Sequence, residues 1–202
     1  MLQRFCIADL PVQPWKNGGG NTREIVCRPE GAGMDGFDWR VSIASITQAG
    51  AFSVFPGVDR VIMLLGGDGV HLQSASGIDH RLATPNAPFA FSGDVALDCA
   101  LLGGASTDFN VMTRRSALRA NVQVVRTLTH MPAAQRGVLL VLAGKWQLND
   151  GDNPQTYAAG QGLWWDAAHP AWQATPQAED AALVWVRLDA VGTVGTVGTV
   201  GT

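Results

Sequence analysis

Short β-branched and aromatic runs, interrupted at close intervals by Gly, Pro, Asn and Asp, dominate the chain, and amphipathic helical spacing is scarce. That pattern predicts an all-β sandwich or barrel with little helix. The clearest strand is Phe37-Asp38-Trp39-Arg40-Val41-Ser42-Ile43-Ala44. Its odd positions are apolar and form one face, while Asp38, Arg40, Ser42 and Ala44 form the other. Arg60–Leu65 and Val138–Leu142 are nearly continuous apolar runs, as expected of strands covered on both faces. Asp68-Gly69 and Asn149-Asp150-Gly151 supply residues that tolerate positive φ, so each can turn a hairpin. Single helical turns are predicted at Pro132–Arg136, with Pro in the first position, and at Arg114–Ala120.

A weak internal repeat organises these strands. Val61–Gly67 followed by Asp68–Leu72 aligns with Val138–Gly144 followed by Lys145–Leu148, across a one-residue gap. An aromatic strand follows each, Phe89–Phe91 in one half and Leu163–Trp165 in the other. The repeat predicts two copies of one β unit packed as a single body, residues 1–115 and 116–191. Chance likeness between apolar strands that end in glycine is the alternative. Residues 192–202 repeat Gly-Thr-Val and can add little to a core.

Composition narrows the classes. Of 202 residues 47% are hydrophobic, enough for a sizeable core, whereas 15% are charged and the formal net charge is −3. A general phosphate-backbone binder needs clustered Lys and Arg, so nucleic acid is not expected as a partner. No run of about 18 apolar residues occurs, and no membrane span is expected. Met1–Leu10 lacks the apolar core of a signal peptide and reads as a first strand, in keeping with a cytoplasmic protein. Cys6, Cys27 and Cys99 are odd in number and suit buried thiols of a reducing compartment better than a disulfide framework.

The densest polar cluster is Pro14-Trp15-Lys16-Asn17-Gly18-Gly19-Gly20-Asn21-Thr22-Arg23-Glu24-Ile25. Its three glycines let backbone approach a ligand, and successive N–H groups can cradle an anion beside donors from Lys16, Asn17, Thr22 and Arg23. A tight surface turn anchored by Trp15 is the alternative. Arg40 shares a polar strand face with Ser42, and Arg60 opens a strand that reads as doubly buried. A guanidinium so placed needs a partner: a metabolite carboxylate, or Asp59 or Asp38. A one-residue register change reverses a strand, so which arginine faces inward stays open. His71, His80, His130 and His169 include no His-x-His pair, and no metal or other cofactor is expected. Trp146, Trp164, Trp165, Trp172 and Trp185 crowd the second half, where filling a core is favoured over lining a pocket. Apolar edges there would suit a homodimer.

Trp15–Ile25, Phe37–Ala44 and Gly50–Arg60 together resemble three signature blocks of the HutD/Ves family, with further likeness through Leu64–Gly69, Phe91–Asp94 and Asp108–Met112. The resemblance implies a bicupin, a duplicated cupin-like barrel (double-stranded β-helix) that has lost its metal ligands. It also implies an association with histidine utilisation in bacteria. A metal-free binder of a small carboxylate of the urocanate or formylglutamate class is then expected, using Lys16, Asn17, Gly18, Gly19, Gly20, Thr22, Arg23, Arg40, Ser42 and Arg60. The alternatives are a metal-independent enzyme with Glu24 as general base, and a structural or interaction protein.

Overall fold

The structure is a computed structural model that describes residues 2–151 and 154–192. Its strands pair antiparallel throughout and form four sheets. The large sheet of the first half runs β2 (Val12–Pro14), β3 (Gly20–Arg28), β4 (Trp39–Ile46), β11 (Ser106–Arg114), β6 (Val58–Gly67), β9 (Pro88–Ser92). Facing it is a smaller sheet of β5 (Gly50–Phe52), β10 (Leu97–Leu101), β7 (Val70–Gln73) and β8 (Asp79–Leu82). The second half has a large sheet of β1 (Leu2–Cys6), β17 (Gln161–His169), β14 (Ala134–Ala143), β19 (Ala182–Ala190) and β12 (Leu118–Val125). Its smaller sheet is β13 (Thr129–Met131), β18 (Trp172–Pro176), β15 (Lys145–Asn149) and β16 (Gln155–Ala158).

The order β4-β11-β6-β9 recurs as β12-β19-β14-β17, and β5-β10-β7-β8 recurs as β13-β18-β15-β16. Segments aligned in the sequence take equivalent places: Val61–Gly67 lies in β6 and most of Val138–Gly144 in β14, Phe89–Phe91 in β9 and Leu163–Trp165 in β17. The expected barrel is corrected to a pair of facing sheets in each half, because no sheet of the described residues closes on itself. Edge strands β5 and β13 are three residues long, and each pairs on one side alone. The first strand also departs from a simple division of the chain. β1 adds to the sheet of the second half, pairing Leu2 with Trp165 and Cys6 with Gln161.

The two large sheets pack back to back. Trp39, Val41, Ile43, Met63, Phe109 and Val111 from one meet Val138, Leu140, Trp164, Val184, Val186 and Leu188 from the other, all buried. The strand alternation that placed Trp39, Val41 and Ile43 on one face therefore marks the contact between halves. Inside the second half, Trp146, Trp165, Trp172 and Trp185 fill the space between its sheets with Leu139, Leu163 and Leu183. Inside the first half, Ile46, Ile62, Leu64, Leu72, Leu82 and Leu97 occupy only part of the equivalent space.

Of the two predicted helical turns, Pro132–Arg136 gives way to strand, while Arg114–Ala120 keeps a single turn, Ala117 N–H donating to Arg114 O at 2.9 Å, before strand begins. Ala134–Arg136 opens β14, where Arg136 pairs across to Asp166 and Leu188. Leu118–Ala120 opens β12, which pairs with β19. Cross-strand pairing outweighs the local helical preference at both places. Among the described residues helix is confined to a 3-10 turn at Ile7–Asp9 and α1 (Gly33–Gly36). The three cysteines are free, but only Cys99 is buried, and Cys6 and Cys27 are partly exposed, contrary to expectation. Among the described residues no helix is long and apolar enough to cross a membrane. The Gly-Thr-Val tail lies outside the described residues from position 193 on.

Candidate functional site

The inner face of the first large sheet carries the polar residues that its outer face lacks. In β4, Arg40, Ser42, Ala44 and Ile46 point between the sheets, and in β11, Asp108, Asn110 and Met112 do the same. Ladder register sets them in rows: Met112 lies opposite both Arg40 and Arg60, and Asn110 opposite Ser42 and Ile62. A cavity of about 970 Å³ opens over these rows. Its other walls come from the Pro14–Asn17 turn, from Phe52–Pro56 and from Met34 of α1. Both arginines face inward, which settles the register question that the sequence left open.

The two guanidinium groups differ in how they are held. Arg40 Nε donates to Glu24 Oε2 at 2.7 Å, and its Nη1 donates to Ser42 Oγ at 3.3 Å. Arg60 has no such carboxylate. Its Nη2 donates to Asn110 Oδ1 at 2.9 Å, and Nε has no hydrogen-bond partner among the described residues. Phe91, Phe52 and Phe55 surround it with ring centroids at 5.0, 5.4 and 5.5 Å, a cation–π environment that favours the charge. Burial lowers its pKa to about 10, with Asp108 opposing the shift, so the group stays a cation at neutral pH. The expected partners Asp59 and Asp38 are not used by Arg60; Asp59 pairs with Arg115 at 2.7 Å.

Asp108 is 1% exposed, the most deeply buried charged residue lining the cavity. Asn110 Nδ2 donates to its Oδ2, and its Oδ1 has no partner among the described residues. Burial pushes its carboxyl up to about 7, against the pull of Arg60 and of the Asn110 hydrogen bond. An unpaired buried donor and an unpaired buried acceptor thus line one cavity, a costly arrangement unless something completes them.

Of the residues singled out from the sequence, Lys16, Asn17, Thr22, Arg40, Ser42 and Arg60 line this cavity. Gly18, Gly19, Gly20, Arg23 and Glu24 do not. The glycines make the β2–β3 hairpin: Gly18 N–H donates to Trp15 O and Gly19 N–H to Asn17 Oδ1, so the imagined anion cradle is occupied by the turn itself. A side chain at Gly20 would stand 2.2 Å from Ser45 O, which explains a glycine there. Arg23 turns away and ties down the amino terminus, donating to Leu10 O at 2.7 Å and Ile7 O at 3.3 Å. Glu24 is held by Arg40. Trp15 Nε1 donates to Thr22 Oγ1 at 2.8 Å, so the expected Trp anchor closes the hairpin onto the cavity wall. Asp108, Asn110, Phe52 and Phe55 were missed. The alternation Asp108-Phe109-Asn110-Val111-Met112 repeats the signal that revealed β4 and was legible in the same way. Among the described residues no three His, Cys, Asp or Glu side chains gather into a group able to hold a metal ion.

These features define a cupin-like all-β protein with a polar cavity in its amino-terminal half. An oxalate decarboxylase of Bacillus subtilis shares the fold alone: 10% identity, TM-score 0.61, covering 94% of this chain and 78% of that one. The HutD family model matches residues 7–185, and the chain belongs to that family. Protein Ves of Citrobacter koseri is 44% identical over 171 residues, covering 83% of this chain and 85% of its own. An uncharacterised 21.2 kDa protein from the hutC 3′ region of Pseudomonas putida is 44% identical over 142 residues, 70% of this chain and 74% of its own. The structure of HutD from Pseudomonas fluorescens SBW25 superposes with TM-score 0.81 at 29% identity, over 95% of this chain and all (100%) of that one.

Proposed function

We propose that the chain binds a small carboxylate metabolite without metal and serves an accessory or regulatory role in histidine utilisation. The observation that carries this reading is Arg60, a buried cation lining a cavity of about 970 Å³, with Nε unpaired and no carboxylate ion pair among the described residues. A ligand carboxylate at Nε would supply the missing charge-assisted hydrogen bond in a site screened from water. The family membership and the hutC neighbourhood of the P. putida relative support a ligand of the urocanate or formylglutamate class. The recurrence of one strand order in both halves supports reading the chain as a bicupin whose second interior has been filled by tryptophan.

The test is isothermal titration of protein dialysed against a chelator, first with urocanate and then with N-formylglutamate. Saturable binding of either, lost in Arg60→Met while the circular dichroism spectrum is unchanged, supports the reading. No heat with either acid, or unchanged affinity in the variant, refutes it.

A further inference from the structure

The cavity holds a second orphaned atom of opposite character to Arg60 Nε. Asp108 Oδ1 is an acceptor, shielded from solvent and unpaired, while Oδ2 of the same carboxylate accepts from Asn110. Asn110 in turn accepts from Arg60, so its carboxamide bridges a donor and an acceptor on one side of the site. The unpaired Arg60 Nε and Asp108 Oδ1 offer the same donor and acceptor again, on groups that line the cavity.

From this geometry we infer that Asp108 is a specificity-determining residue, which selects carboxylates that also carry an N–H group by accepting that hydrogen at Oδ1. The inference rests on the proposed carboxylate site at Arg60 and adds a second point of recognition. An acid lacking the N–H would leave Asp108 Oδ1 buried and unsatisfied, a larger penalty than the mere absence of one favourable contact. A residue of this kind discriminates between isosteres more strongly than apolar contact can. Charged or titratable side chains around Asp108 are Arg60 on β6 and Cys99 on β10. Neither of them offers an N–H to Oδ1.

A matched pair of acids tests this at about pH 8, where a carboxyl titrating near 7 is ionised. Urocanate has a ring N–H; 3-(2-furyl)acrylate has the same acrylate on a ring without one. The wild-type protein is expected to bind urocanate roughly tenfold or more tightly than the furan, in line with a hydrogen bond to a charged group. Asp108→Asn should erase or reverse that ratio. In this variant the amide oxygen can go on accepting from Asn110, which places an NH₂ donor where Oδ1 was. Urocanate affinity then falls while furylacrylate affinity holds or rises. Equal binding of the two acids by wild type, or an equal loss of both in the variant, overturns the role of Asp108 and leaves the carboxylate site standing. Failure of both acids and of N-formylglutamate to bind wild type removes the carboxylate site itself, and this inference with it.

Discussion

Arg60 and Asp108 are linked through Asn110: Arg60 Nη2 donates to Asn110 Oδ1 at 2.9 Å, and Asn110 Nδ2 donates onward to Asp108 Oδ2. The residues sit on neighbouring strands, four rungs apart in the β6–β11 ladder, and the asparagine spans the gap. The arrangement keeps both charges partly satisfied while leaving one buried hydrogen-bonding atom on each without a partner among the described residues.

That coupling makes the cost of removing Arg60 depend on pH. The Asp108 carboxyl is pushed up to about 7 in the folded protein, against 3.8 ordinarily. Between those values the native state holds a proton that the unfolded chain has released, so stability falls as pH rises from 3.8 to about 7 and levels off above it. Arg60→Met withdraws the cation that favours the ionised form and raises the carboxyl further. Denaturant titrations should show a loss of about 2–4 kcal/mol at about pH 8 and less than half of it at about pH 5.5. An equal loss at both would show that the coupling to Asp108 is weak.

The hairpin glycine at position 20 is a steric requirement. With its would-be Cβ 2.2 Å from Ser45 O and 3.0 Å from the Trp15 ring, Gly20→Ala must separate β3 from β4 or displace Trp15. A loss of about 2–3 kcal/mol is expected by chemical denaturation. Gly18→Ala, where no heavy atom stands within 4 Å but φ is +71°, should cost about 1 kcal/mol.

Phe109 is 1% exposed in the layer between the two large sheets. Phe109→Ala is expected to cost about 3–5 kcal/mol. Because that layer is shared and β1 joins the sheet of the second half, both halves should melt together. Calorimetry of the variant should give one transition at lower temperature; two separate transitions would show the halves to be independent.

The cavity wall that carries Phe55 is fastened from outside. Arg115 donates to Asp59, Asp94 and Ser92, each at 2.7 Å, and Asp94 accepts the Gly57 N–H at 2.7 Å. That N–H, with Ser92 and Arg115, holds the Asp94 carboxyl well below the usual carboxylate range. Arg115→Ala should leave the thermal midpoint nearly unchanged, since the cluster is exposed. Loosening the wall beside Arg60 should nevertheless speed ligand release severalfold, measured by stopped-flow after saturation with the acid bound in the titration above.

Alternation along Phe37–Ala44 was enough to place Arg40 and Ser42 on one polar face, and the internal repeat marked strands that occupy equivalent positions in the two halves. Histidine spacing, the glycine hairpin and the family blocks were likewise local features, each spanning a few residues along the chain. The tertiary structure decided what those faces meet. Arg60 and Asn110 are fifty positions apart in sequence and come within 2.9 Å only because β6 pairs with β11 in a particular register, which a one-residue slip would have reversed. Whether three glycines cradle a ligand or build a turn depended on where Trp15 and Ser45 packed, and whether a barrel closed depended on which strands paired. A pattern of residues determines which groups share a strand face; only long-range pairing determines which buried groups stay unpaired, and that is what defines the site.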